Sequence, residues 1–337
     1  MNNREEKEIR EWHGIVPLFP GIIDSSMLSA FRACPYKAYL SYIEHWKPKF
    51  ESVHLVAGGA FAKGIEIARK EFFENGADRE TAEALGLSAL ITAYGSFDCP
   101  SESAKSLPRM VGALGFYFSN YPLGNDGAEP ITLPSGRRGI EFSFIEPLDI
   151  HHPTTGDPIL FSGRADMVAS FAGGTYCFDE KTTSQLGAKW SDQWDLRSQF
   201  TSYCWAGRRL GVPTQGAIVR GVSILKTKYE TAQAITYRAD WELDRWEELM
   251  YRQLRKMLDC YCQQEYDQDL DGSCVRGGNP WDRNTDSACN DYGGCAFRKV
   301  CKAKNPYEVL TQDFVRRVWD PVSHREVPIE IWEAEFK

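Results

Sequence analysis

The sequence predicts an α/β or α+β layer arrangement, on three observations. Helical patterns occupy the first third of the chain. A block rich in β-branched and aromatic residues follows, in the order strand, strand, strand, helix, strand. A long helical pattern at about 240 to 265 then closes the alternation, and no sharp linker divides it.

The elements can be justified in order. In DSSMLSAFRACPYKAYL, Asp24 or Ser25 caps a short helix and Pro35 suits the first position of the next, leaving Cys34 at the junction. Further helices are expected from about Gly59 to Asn75, from about Arg79 to Ser96, and through MVGALGFYFSNY. GIEFSFIEPL, ILFSGRADMVASFA and TYCFDEKTT read as strands, with Gly173-Gly174 as the tight turn between the last two. A helix from about Gln193 to Arg209 is ended by Gly211, and GAIVRGVSILKT and TAQAITYRA follow as strands. The expected organisation is a polar leader (1–20), a helical part (about 21–125), a core (about 136–240), a Cys-bearing segment (about 270–305) and a charged tail (306–337).

Composition bounds the function. Of 337 residues, 42% are hydrophobic and 26% charged, which suits a soluble protein with a sizeable core. No apolar run of about 18 residues is present, so no membrane-spanning helix is expected. The start, MNNREEKEIREWHG, lacks the apolar stretch of a signal peptide, which points to a cytosolic setting with reduced cysteines. There, clustered cysteines ligate metal more often than they pair. The net charge of −8 does not exclude a nucleic-acid partner, because patches matter more than sums. Basic doublets stand at Arg137-Arg138, Arg208-Arg209 and Arg316-Arg317, each read singly as solvated surface.

Three short pieces carry chemistry together. Asp166 lies in GRAD within one strand, Asp179-Glu180-Lys181 in the next, and Gln199 and Tyr203 are four apart on a helix. On adjacent antiparallel strands, Asp166 and Asp179 bring two carboxylates close, which suits Mg²⁺ or Mn²⁺. Lys181, two residues after Asp179, points to the same side and can stabilise charge on a phosphoryl group. Each piece alone has a bland reading as strand edge, turn or helix surface.

The ordering of GGAFAKGIE (58–66), GRAD (163–166), DEK (179–181), QFTSY (199–203) and the cysteines resembles a RecB-like nuclease of the PD-(D/E)XK superfamily, in its iron–sulfur branch. The resemblance spans about residues 21 to 305 and implies a restriction-endonuclease-like core, a mixed central sheet flanked by helices. It implies metal ligation by Asp166 and Asp179, a backbone carbonyl contribution from Glu180, and Lys181 as catalytic lysine. Gln199 and Tyr203 match its Q-x-x-x-Y element. The family's G-x-x-x-H places a histidine ligand where this chain has Ala62. Glu66, one helical turn beyond, and Glu141, on the first expected strand, are candidates for a further acidic contact. Glu66 reads equally well as a solvated carboxylate.

Cys289, Cys295 and Cys301 recur with five residues between neighbours, and three thiolates cannot close a four-ligand site. The resemblance supplies Cys34 as the fourth. Four thiolates suit Zn²⁺ or a [4Fe–4S] cluster, and the absence of paired C-x₂₋₄-C knuckles favours iron–sulfur. The cluster would clasp the N-terminal helices to the C-terminal segment. Cys274 is a possible substitute, and Cys99, Cys177, Cys204, Cys260 and Cys262 read as packing residues.

The leading expectation is a Mg²⁺- or Mn²⁺-dependent deoxyribonuclease, an exonuclease of recombination, repair or phage DNA processing. Its relatives by analogy are phage recombination exonucleases and CRISPR-adaptation nucleases. The partners expected are single-stranded DNA or DNA with free ends, with an annealing protein or helicase nearby, in a bacterial or phage-infected cytosol. No G-x-x-x-x-G-K-[ST] loop is present, so a fused helicase is not expected. Trp190, Trp194 and Trp205 either stack on bases or pack in the core. The alternatives are a weak or inactive DNA-binding homologue, to which Ala62 points, and a zinc-stabilised protein of unrelated activity.

Overall fold

A computed structural model of the chain describes residues 18–269, 279–285, 287–290, 294–329 and 331–332. Residues 1–17 of the expected leader, much of the Cys-bearing segment, Cys274 included, and the end of the charged tail lie outside the described residues.

The first elements are β1 (Ile22–Asp24), α1 (Ser25–Ala33), α2 (Pro35–Ala38, continued by a π turn over Tyr39–Ile43) and β2 (Trp46–Pro48). Three helices follow, α3 (Val53–Phe73), α4 (Arg79–Tyr94) and α5 (Leu107–Asn120). Then come β3 (Glu129–Pro130), β4 (Ile140–His151), β5 (Pro158–Phe171) and β6 (Gly174–Thr183). The crossover α6 (Ala188–Asp192) and α7 (Ser198–Arg209) leads to β7 (Gly216–Ile224) and β8 (Tyr229–Tyr237). The long α8 (Asp240–Asp269) precedes α9 (Arg298–Lys302), α10 (Pro306–Asp313), β9 (Phe314–Asp320) and β10 (Arg325–Pro328).

Local chemistry sets the boundaries. Asp24 caps α1 by accepting the Met27 N–H at 2.8 Å, and Pro35 opens α2, so Cys34 closes one helix and opens the next. Asp78 caps α4 through the Thr81 N–H at 2.9 Å. The hairpin between β5 and β6 turns on Ala172 and Gly173, both at positive φ, with Phe171 paired to Gly174. That is one residue earlier than the Gly-Gly pair suggests, because Gly174 already belongs to the ladder. The helix expected from Gln193 begins at Ser198; before it, the chain winds through single turns at Trp194 and Arg197. Gly211, at φ +72°, ends α7 as expected.

The described residues divide into two units. The second takes Glu51–Phe144 and Arg164–Trp246. It holds a mixed sheet in which β6 pairs antiparallel with the end of β5 (Met167–Phe171) and parallel with β7, while β8 runs antiparallel to β7. The parallel step requires the crossover that α6 and α7 supply. Every residue of β7 is buried, as expected of a strand covered on both faces. Helices α3, α4 and α5 build one core with Val222 and Ile224 of β7. Helices α3 and α4 approach so closely that a Cβ on Gly86 would lie 2.6 Å from the Gly64 carbonyl oxygen. This is the expected mixed sheet flanked by helices.

The first unit takes residues up to Phe50, Ile145–Gly163, and those from Glu247 onward. In it β1 runs parallel to Leu160–Ser162 of β5, and β10, β9 and β2 form a small antiparallel sheet. The segment read as a charged tail therefore carries α10 and a hairpin. In FVRRVWD, Phe314 and Val318 are buried, and Arg316, 3.1 Å from Glu44, pairs in the ladder with Trp46. The charged residues between had hidden that alternation. Trp281, 1% exposed, stacks on Tyr39 at 5.3 Å and donates to Gln264 at 2.7 Å.

Candidate active site and cysteine cavity

The second unit builds the acidic site from β5, β6 and α7. Met167 pairs with Phe178, so the next step along that register sets Asp166 against Asp179 on one face. Lys181, two residues on, shares that face, and its ammonium forms an ion pair with Asp179. Asp179 is 2% exposed, whereas Asp166 and Lys181 keep an edge open to solvent. The Asp166 carboxylate accepts the Glu180 main-chain N–H at 3.2 Å.

The electrostatics describe two neighbouring acids that share the Lys181 ammonium. Burial, then the charges of Asp179 and Glu180, push the Asp166 carboxyl well above its usual range. Burial also raises Asp179, against the opposing pull of Lys181. For Lys181, burial favours the neutral amine, but the charges of Asp179 and Asp166 outweigh it and hold the ammonium protonated. The two neighbouring carboxyl groups present hard oxygen donors, which are what a divalent cation such as Mg²⁺ or Mn²⁺ takes. The residues present fit such an ion. Among the described residues, however, no three His, Cys, Asp or Glu side chains stand close enough to hold one.

Glu180 faces the other way. Its carboxylate is forked by Arg69 of α3, one arm at 3.0 Å, and accepts the Tyr117 hydroxyl of α5 at 3.0 Å. Burial would raise Glu180, but the Arg69 guanidinium dominates and holds it below its usual range. Its side chain is thus unavailable to an ion on the Asp166 face. Arg69 is the participant that reading the sequence missed; its only signal was a lone arginine at the end of an otherwise apolar helix face.

The two candidates for the place of the missing histidine are both engaged. Glu66 accepts from Lys63 at 2.9 Å and Lys70 at 2.7 Å. Glu141, at φ +52°, is paired with Arg164 at 2.9 Å. Burial nevertheless raises Glu141, and Glu66 adds to the rise, so the two carboxylates lie within each other's field. On α7, Gln199 donates to the Tyr203 hydroxyl at 2.7 Å. Burial raises the Tyr203 phenol well above its usual value, and the charges of Asp179 and Asp166 raise it further. Trp190, Trp194 and Trp205 are 6%, 6% and 1% exposed, so they pack in the core and present no face for a base.

The cysteines gather in the first unit. Cys34, Cys289, Cys295 and Cys301 line one cavity, together with Lys37, Arg283 and Arg298. Two backbone bonds and one from the Asn284 side chain join the segments that carry them. The Tyr36 N–H donates to the Asp282 carbonyl at 3.0 Å, the Asn284 amide to Ala33 at 2.9 Å, and the Cys295 N–H to the Cys289 carbonyl at 3.0 Å. Burial raises the Cys295 and Cys301 thiols, and Cys34 and Cys289 add to both shifts. Cys177 and Cys204 are buried as packing residues, but Cys262 is exposed on α8. An i, i+2 pair on a helix cannot face one side, so Cys260 and Cys262 diverge.

A solved structure, that of SSO0001, is 14% identical and superposes with a TM-score of 0.29, covering 72% of this chain and 81% of that one. No curated protein matches. The family model of the PD-(D/E)XK nuclease superfamily matches residues 25–302. That span holds Asp166, Asp179, Lys181, Gln199, Tyr203 and all four cavity cysteines, and covers most of the sequence: the chain belongs to the PD-(D/E)XK nuclease superfamily.

Proposed function

We propose that the chain is a divalent-metal-dependent DNA nuclease, an exonuclease acting on single strands or free ends. The observation that carries the reading is the pairing of Asp166 and Asp179 on one strand face with the Lys181 ammonium beside them. Asp166 and Asp179 would hold Mg²⁺ or Mn²⁺, with the Glu180 carbonyl as a further donor. When bound, the ion supplies Lewis acidity toward a phosphoryl oxygen and lowers the pKa of a water. Lys181 stays protonated and partly exposed, so it offers positive charge to a phosphate approaching from solvent. Tyr203, its phenol kept protonated, offers a donor near the same carboxylates. The four cavity cysteines are read as ligands of a [4Fe–4S] cluster with a structural role, a reading supported by their lining one cavity.

A second reading, a catalytically weak DNA-binding homologue, is favoured by one observation. Ala62 brings no ligand, and Glu66 and Glu141 are held by Lys63, Lys70 and Arg164. The test is digestion of end-labelled single- and double-stranded DNA with Mg²⁺ or Mn²⁺, beside Asp179→Asn and Lys181→Ala. Hydrolysis lost in both variants supports the enzyme, and mononucleotides or short products from one end support an exonuclease. No hydrolysis by the unaltered protein in any metal leaves the binding reading.

A further inference from the structure

We propose that Arg69 is a positioning residue of the metal-binding face, acting through Glu180. The inference rests on the nuclease reading for the identity of the ion.

Arg69 lies on α3, 3% exposed, and reaches the face of β6 opposite to Asp166 and Asp179. There its guanidinium takes both oxygens of Glu180, and a third bond, to the Tyr117 hydroxyl at 3.3 Å, ties α5 into the same fork. Arg220 stands beside Glu180 in register on β7 but has its own partners, Asp126 at 2.5 Å and Gln233 at 3.0 Å. The Arg220 guanidinium adds to the field on the Glu180 carboxylate, while the fork on its two oxygens comes from Arg69. The ladder with β7 holds the Glu180 peptide, and the fork at both carboxylate oxygens restrains it further from the opposite face. That peptide's N–H is the donor to Asp166 Oδ2. Asp166 faces a second buried carboxylate, so an unsupported side chain would rotate away toward solvent. Through this chain of bonds, a buried ion pair on one face of the strand holds a carboxylate on the other. A pair that served stability alone would be replaceable by apolar side chains without further consequence.

The experiment is a Mn²⁺ titration of the full-length protein, read by the electron paramagnetic resonance of free Mn²⁺, with DNA hydrolysis and melting measured in parallel. Arg69→Lys keeps Glu180 compensated but loses the fork, and Glu180→Gln keeps the shape but loses the charge. Both are expected to bind Mn²⁺ about tenfold more weakly, with hydrolysis recovering at saturating Mn²⁺. The double variant Arg69→Met/Glu180→Leu is expected to regain the melting temperature but not the affinity. Unaltered Mn²⁺ affinity in folded Arg69→Lys overturns the proposal, as does recovery of affinity in the double variant. If the unaltered protein itself binds no Mn²⁺, the nuclease reading fails and takes this inference with it.

Discussion

Gln199 and Tyr203 are joined across one turn of α7, the amide of the first donating to the hydroxyl of the second at 2.7 Å. The hydroxyl keeps its own proton, because burial and then the charges of Asp179 and Asp166 raise the phenol against the opposing pull of the Gln199 bond. The amide thus orients the phenol, and the two act as one unit.

Tyr203→Phe is expected to lower the hydrolysis rate about tenfold, the equivalent of about one hydrogen bond. Gln199→Ala should cost about as much, and the double variant little more than either, because residues of one network do not add. Rate constants under saturating metal check this; full additivity would mean that the two side chains act separately.

The buried acids give the metal-free protein a signature against pH. Asp166 has its folded pKa above its unfolded value near 3.8, so folding disfavours the ionised form. The penalty is absent below the unfolded pKa and grows as pH rises toward the folded one. Asp166→Asn keeps an acceptor for the Glu180 N–H and removes the charge. Without metal, this variant should melt several degrees above the unaltered protein at pH 8, the gap closing as the pH approaches 4. Adding Mg²⁺ should raise the melting temperature of the unaltered protein and leave the variant unmoved. A gap independent of pH would show that the charge of Asp166 is not the cause.

The glycine beside Lys181 in the register offers a steric test. Gly221 pairs with Lys181, and a Cβ there would lie 2.3 Å from the Trp190 ring. Trp190 thus fills the space that an alanine would claim. Gly221→Ala is expected to destabilise the protein by about 1–3 kcal/mol, the usual cost of overpacking a core. Chemical denaturation measures the loss, and an unchanged midpoint would mean that the ring shifts freely.

The face that carries Asp179 and Lys181 was readable in the sequence because strand alternation and i, i+4 spacing are local rules. Asp179, Lys181, Gln199 and Tyr203 could be placed on their faces from spacing alone. The other face of β6 was not readable. Glu180 meets Arg69 from a helix 111 residues earlier, a pairing that no local period encodes. The tryptophans near α7 illustrate the converse, since an aromatic residue beside a site looks the same in sequence whether it stacks on a ligand or fills the core. The end of the chain was obscured by charge, because Arg316 and Arg317 sit between the two buried residues of β9.

The cysteine cavity gives the last prediction. Cys34 reaches it from the junction of α1 and α2, more than 250 residues before Cys289, and the bonds from Tyr36 to Asp282 and from Asn284 to Ala33 bring these segments together. Ligands from separated segments couple binding of the group to folding of the unit that supplies them. On the proposed iron–sulfur reading, protein purified without oxygen should be brown and contain iron. Cys34→Ser should lose both colour and iron and melt at a lower temperature. Cys260→Ser is the control, since Cys260 lies against the Pro280 carbonyl at 3.3 Å and does not line the cavity, and it should keep its iron. Stoichiometric zinc in place of iron would overturn the iron–sulfur assignment while leaving the four cysteines as ligands. Full iron content in Cys34→Ser would remove Cys34 from the ligand set.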